Sequence, residues 1–306
     1  MKSFLIVTTR DLPEAYFLAT ALEARRQRIG VINITGRPLR TKLRVLARLR
    51  RNRGTLYLAD LLLARALRSR YLPATVMPFP EIDEAVIASI KRRWPSHCCL
   101  DPHAAATLQF VRDFSPDHIL LAGAPVLKPS LFALARHGAF NRHLGMLPDY
   151  KGSDCPVWAL ALNDAEHVGF TIHRVAEKVD AGDVIHVEHV PITAGNSFVG
   201  YLARLQRRAS EAFVGILDRV IDGAPVRAWA QPRGGRFVPP AGFHTLRRAQ
   251  ENFDRLVRGA LPRRTVPPVV VHASALAAYR NGADLYRRAA LSRVKPTGTE
   301  ERARGR

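Results

Sequence analysis

The chain has 306 residues, 47% of them hydrophobic, and a formal net charge of +21 from 47 Lys and Arg against 26 Asp and Glu. That length allows one large domain with a full core plus an appendage, and Cys98, Cys99 and Cys155, odd in number with two adjacent, exclude a disulfide framework. No stretch approaches about 18 uncharged apolar residues, and the short run Phe4 to Val7 lacks the h-region and cleavage site of a leader, so the reading is a cytoplasmic protein with reduced thiols and no membrane span.

Ser3 to Thr8 is a compact apolar run that predicts a strand, Leu12 to Gln27 has helical composition, and Ile29 to Ile34 is again apolar and β-branched. This is the opening of an α/β domain. Leu39, Leu43, Leu46 and Leu49 recur at helical spacing and apolar residues crowd Leu56 to Leu63, predicting two amphipathic helices broken near Asn52 to Gly54. Residues 36–70, a basic helical insert, hold 11 basic side chains against the single acid Asp60. The insert either packs on the domain or rests on anionic lipid or nucleic acid. Residues 71–245 balance at 17 basic and 17 acidic, whereas residues 246–306 carry 14 basic and five acidic. Because 40 of the 47 basic residues are Arg, GC-rich coding accounts for the excess as well as a phosphate- or membrane-facing surface does.

From residue 96 the spacing predicts a strand at His97 to Leu100, a helix from Pro102 to Asp113, a strand at His118 to Ala122, a helix near Ser130 to Arg136 and a strand at Gly138 to His143. Such alternation implies parallel strands joined by crossover helices. Ligands then gather beyond the carboxyl ends of the strands, where the turn after Ala122 and the tripeptide Asn141-Arg142-His143 fall. Val168 to Val175 and Val184 to Val190 read as two further strands around a turn at Asp180, and Phe198 to Ile221 as a long closing helix.

Asn141-x-His143, Leu147-Pro148-x-Tyr150-Lys151-Gly152 and Val179-Asp180-Ala181-Gly182-Asp183 combine an amide, an imidazole and a carboxylate on locally rigid backbone. Together these groups can stabilise a tetrahedral oxyanion and move a proton, the needs of acyl transfer to an amine. Singly, each has an ordinary role: an Asn that satisfies a turn, a structural His, an Asp that forms a turn before Ala-Gly. Their joint occurrence carries the suggestion. His97-Cys98-Cys99 with His103 is not read as a metal site, since neighbours on a strand face opposite sides and no second cysteine pair exists. Without a Gly-x-Gly-x-x-Gly or a Walker-type loop, dinucleotide or ATP use has no support.

With Gly169-Phe170-Thr171-Ile172-His173 added, these motifs resemble the 10-formyltetrahydrofolate-dependent formyltransferases, well over residues 96–225 and by strand pattern alone over the first 35. The resemblance implies the formyltransferase fold, a Rossmann-like, mostly parallel α/β sheet flanked by helices. It implies a catalytic domain over residues 1–232, a short basic extension over 233–291 and a disordered tail over 292–306. By the same resemblance the formyl donor is 10-formyltetrahydrofolate, Asn141 donates an N–H to the oxyanion, His143 stabilises it and relays a proton, and Asp180 orients His143 and accepts the amine proton. Backbone groups around Pro125, Val126 and Leu127 and in the loop from Val179 to Asp183 would hold the pterin, with the Val126 and Leu127 side chains lining its slot. No metal is implied. Two departures stand out: Pro125 has no N–H to offer, and Gly145 occupies a position where many members carry serine.

The superfamily keeps its core and changes the acceptor. Methionyl-tRNA members carry a C-terminal β-barrel, whereas the residues after Gln231 contain Pro239-Pro240, Pro267-Pro268 and one good strand candidate, Val266 to His272, which does not suit a barrel. Gly234-Gly235-Arg236-Phe237-Val238-Pro239 with the helical stretch behind it is similar to the short extension of sugar formyltransferases. The expected acceptor is therefore the amine of a nucleotide-linked amino sugar in surface polysaccharide synthesis. Methionyl-tRNA is the runner-up, met by the basic residues of 36–70, followed by glycinamide ribonucleotide. Hydrolysis of the donor belongs to members with an N-terminal regulatory domain, whereas this chain opens on its first strand. A non-catalytic protein on this fold would bind folate or a partner regardless of Asp180→Asn. The basic flanks, 36–70 and 246–306, would also suit peripheral membrane contact, and the sequence leaves the oligomeric state open.

Overall fold

The computed structural model describes residues 1–36, 38–67, 78–193, 195–232 and 234–259. The strand expected at Val266 to His272 and the tail from Ser292 lie outside the described residues. Seven strands form the main sheet in the order β3-β2-β1-β4-β5-β7-β8: β1 (Ser3–Thr9), β2 (Arg28–Ile34), β3 (Ser96–Cys99), β4 (His118–Ala122), β5 (Ala139–His143), β7 (Gly169–Arg174) and β8 (Val184–His189). The first five pair in parallel, as crossover connections require. The last two depart from the simple alternation, because β7 runs antiparallel to β5 and to β8.

Both faces are covered. Phe4, Ile6 and Phe140 join Tyr16, Leu18 and Leu22 of α1 (Pro13–Ala24) and Tyr201, Leu205 and Phe213 of α8 (Phe198–Ile221) in one cluster. Leu5, Val7, Ile119 and Leu121 meet Val111 and Phe114 of α5 (Ala105–Phe114) and Leu131 of α6 (Pro129–Phe132) on the other face. Near-continuous apolar runs are what strands buried on both faces require. The helix expected to reach Arg136 stops at Phe132: Leu134 and Ala135 N–H turn to the carbonyls three residues back, Leu131 and Phe132, and then Arg136 N–H goes to the Pro116 carbonyl and His137 N–H to the Asp117 carbonyl. A further helix, α4 (Glu84–Arg93), capped by the Asp83 carboxylate on Val86 N–H, was not foreseen.

The insert is a helical hairpin, α2 (Leu39–Arg53) and α3 (Thr55–Ala66), turning at Gly54. None of the α2 residues is buried and Ala64 alone is buried on α3. The hairpin is held through α3, whose Tyr57 hydroxyl donates to the Pro240 carbonyl at 2.6 Å and whose Asp60 accepts from the His244 N–H at 3.1 Å.

Residues 234–259 are built into the same body. β9 (Arg236–Val238) pairs in parallel with β6 (Tyr150–Gly152), within the motif segment. Gly152 has φ +102°, and a Cβ there would stand 2.2 Å from the Val238 carbonyl oxygen, so only glycine permits this pairing. Behind it, α9 (Phe243–Val257) packs on α7 (Cys155–Ala161), placing Leu246, Ala249 and Phe253 in the main core and the Asn252 amide on the Leu160 carbonyl at 2.8 Å.

Candidate active site

Asn141 pairs with Leu121 of β4 on one side and His173 of β7 on the other, so all three side chains face the same side of the sheet. His143, two residues on, shares that face. Because β7 is antiparallel to β5, the loop that follows it leaves beside the start of β5, where Val175 N–H bonds the Ala139 carbonyl at 2.8 Å. The loop then folds back across the strand and brings Asp180, at φ +50°, between the two imidazoles. Asp180 Oδ2 lies 3.7 Å from His143 Nδ1 and Oδ1 lies 3.7 Å from His173 Nε2. Gly152 N–H donates to Oδ2 at 2.8 Å, tying the carboxylate to β6.

Two carbonyls set the tautomers. His143 Nε2 faces the Tyr150 carbonyl at 2.9 Å and must carry a proton there, which leaves the Nδ1 lone pair toward Asp180 when the ring is neutral. His173 Nδ1 donates to the Arg174 carbonyl at 2.8 Å, so its Nε2 accepts from the Asn141 amide at 3.1 Å. One N–H of Asn141 is thereby used and one remains. Burial holds the His143 imidazole below the ordinary histidine range, against the opposing pull of Asp180. For Asp180, burial alone would raise the pKa, but His173, His143 and the Gly152 N–H outweigh it and hold the carboxyl below the usual carboxylate value. At neutral pH the pair is therefore a neutral imidazole beside a carboxylate.

The surroundings are rigid. Thr171 Oγ1 accepts from Leu147 N–H at 3.0 Å and donates to the Gly145 carbonyl at 2.7 Å, pinning the turn after β5. The Leu147–Pro148 peptide is cis. Gln231 Nε2 donates to the Asp180 carbonyl at 3.1 Å and to the Gly182 carbonyl at 2.5 Å, and Arg174 N–H closes the loop on the Asp183 carbonyl at 2.8 Å. The Cys155 thiol lies 3.6 Å from His143 Nε2, fully enclosed and pushed up in pKa by burial.

Asn141, His143 and Asp180 are thus brought together, and His173 and Gln231 join them unannounced. His173 stood in a quoted motif, but its neighbours follow from strand register. Gln231 lies 51 residues from Asp180 and carries no local signal. Of the residues expected to hold a pterin, Val126 is 67% exposed and Val179 37% exposed, Pro125 is half-buried, and the Asp183 side chain is exposed. Leu127 is 6% exposed, and its side chain packs with Leu131 in the second core cluster.

Residues 89–217 match the family described as formyl transferase. That match covers less than half of the chain. It is 32% identical over 120 residues to the methionyl-tRNA formyltransferase of Chlorobium chlorochromatii, covering 39% of this chain and 37% of that protein. It is 28% identical over 186 residues to the GDP-perosamine N-formyltransferase of Brucella melitensis biotype 1, covering 58% of this chain and 70% of that one. The solved structure of a sugar N-formyltransferase from Shewanella sp. superposes with a TM-score of 0.51 at 13% identity, over 89% of this chain and 97% of its own, a likeness of fold. The chain spans less than two fifths of the length of the methionyl-tRNA relative.

Proposed function

We propose that this chain is a formyltransferase, that it moves a formyl group from 10-formyltetrahydrofolate to a primary amine, and that the amine belongs to a nucleotide-linked amino sugar of surface polysaccharide synthesis. The observation that carries the chemistry is the Asp180 carboxylate set between two imidazoles, one of which holds the Asn141 amide. The folate supplies an activated formyl carbon, and Val126, exposed after β4, and Val179, exposed in the loop that carries Asp180, suit the apolar faces of its pterin while backbone groups suit the edge. Asn141 directs its second N–H at the oxygen on which charge develops, worth about 3 kcal/mol for a preorganised donor. As the amine nitrogen bonds to carbon, the Asp180 carboxylate takes the proton released and returns it to the departing nitrogen. His143 shares that proton through Nδ1, and as an imidazolium beside Asp180 it would offset the negative charge of the oxyanion.

The sugar acceptor is supported by the length of the likeness: the alignment with the GDP-perosamine enzyme runs over 186 residues, against 113 to 162 for the methionyl-tRNA enzymes. The docking of β9 and α9 onto the core supports it too, since the extension reads as part of the catalytic body. A methionyl-tRNA acceptor is the second reading, favoured by the higher identity of those relatives and by the basic α2.

Tetrahydrofolate release from 10-formyltetrahydrofolate by the full chain, without acceptor, with amino-sugar nucleotides and with methionyl-tRNA, tests both. Release that depends on a sugar amine and disappears in Asp180→Asn is the expected result. Release only with methionyl-tRNA, with steep salt dependence, would transfer the proposal to tRNA. Release without any amine would replace transfer by hydrolysis.

A further inference from the structure

The α2–α3 hairpin combines two properties that a helix resting on its own domain does not need. Leu39, Leu43 and Leu46 on α2 are 69%, 57% and 37% exposed, and Leu56, Leu62 and Leu63 on α3 are 87%, 55% and 41% exposed. Their spacing on α2 puts the three leucines within one narrow stripe. The same helix carries Arg40, Lys42, Arg44, Arg48, Arg50, Arg51 and Arg53 and no acidic residue. An open groove of about 510 Å³, lined by Leu56, Tyr57, Ala59, Asp60, Leu63 and His244, continues the apolar surface along α3. Among the described residues, α3 ties the hairpin to the body through Tyr57 and Asp60, and no residue of α2 is buried.

We propose that this hairpin is an interfacial anchor that lays α2 on an anionic phospholipid surface. Leucines would enter the boundary between headgroups and acyl chains, while the long basic side chains reach the lipid phosphates from either side of the stripe. Nucleic acid satisfies only half of this surface: its phosphates would meet the arginines and leave the leucines in water. A bilayer surface uses both. Among the described residues no helix is long and apolar enough to cross a membrane, so the contact lies in the interface plane. The inference stands apart from the catalytic reading, because none of these residues belongs to the site around Asp180.

Sedimentation of the full chain with phosphatidylcholine vesicles, and with phosphatidylcholine–phosphatidylglycerol vesicles at about 3:1, tests it. The chain should sediment with the mixed vesicles and remain in solution with the neutral ones. Leu39→Ala/Leu43→Ala/Leu46→Ala keeps good helix formers and should weaken partitioning by about tenfold or more. Arg40→Gln/Lys42→Gln/Arg44→Gln should weaken it by roughly a hundredfold at low salt. Circular dichroism and Tm of both variants should match the parent, so that loss of binding is not loss of fold. Binding that ignores the leucine substitutions would overturn the proposal, because basic charge anywhere on the chain would then suffice. Absence of vesicle binding would also overturn it, whether the hairpin instead holds tRNA or closes on a second copy of the chain.

Discussion

Gly145→Ala should impair the site through a steric chain that can be followed atom by atom. A Cβ at position 145 would lie 2.5 Å from His143 Nε2, 2.8 Å from the Tyr150 carbonyl oxygen and 2.9 Å from Cys155 Cβ. The imidazole thus occupies the space a side chain would fill, and its 2.9 Å bond to Tyr150 depends on glycine. With alanine the ring must swing away, leaving the carbonyl of the buried Tyr150 unpaired at a cost of about 1–3 kcal/mol. Forced repacking around Cys155 costs about 1–3 kcal/mol more, although relaxation shared between the two holds the total to roughly 2–4 kcal/mol. Displacing Nδ1 from Asp180 by about 1 Å should lower kcat by about a hundredfold with little change in KM. Urea unfolding and steady-state formyl transfer, measured on Gly145→Ala and Gly145→Ser, read the two effects separately. Unchanged stability would refute the steric premise. Lost stability with kcat within about threefold of the parent would show that the orientation of His143 is irrelevant to turnover.

Other expectations follow from neighbouring geometry. Arg142, between the two catalytic candidates but facing the opposite side of the sheet, is buried against Glu14 at 3.2 Å, with Nε and Nη1 lacking a partner among the described residues. Glu14→Gln should cost about 3–5 kcal/mol in chemical denaturation, because a buried guanidinium loses its counter-charge, whereas Glu14→Leu/Arg142→Met should be near neutral or stabilising. His118, stacked between Phe4 and Phe140, is held down to about 4 by burial and then by His137. Its folded pKa lies below the unfolded value, so protons favour the unfolded chain as pH falls from about 6.5 toward 4 and of order 2 kcal/mol of stability is lost there. His118→Phe should flatten that slope in urea titrations run at each pH. For catalysis, burial keeps His143 neutral to below the ordinary range, so kcat/KM should hold from neutral pH down to about 6.5 before its acid limb begins; a limb centred well above that value would contradict the geometry. Asp180→Asn should lower kcat by about a thousandfold or more while far-ultraviolet circular dichroism is preserved.

What the sequence by itself determined is whatever depends on near neighbours. Apolar runs such as Phe4 to Val7 and Ile119 to Leu121 announced strands, which the structure buries on both faces, and the period of two of a strand puts Asn141 and His143 on a common side. Leu39, Leu43 and Leu46 announced a helix, although not that its stripe would be left uncovered. Tertiary structure decided what register and direction control. That His173 sits opposite Asn141 follows from an antiparallel pairing that the local pattern cannot distinguish from a parallel one. That Gln231 braces the Asp180 turn, that Glu14 neutralises Arg142 and that β9 closes on Gly152 all join residues 51 or more apart in the chain. Side-chain chemistry is written along the sequence, but which groups meet is set when distant backbones close against one another, and a shift of one residue in that register would turn His173 away from Asp180.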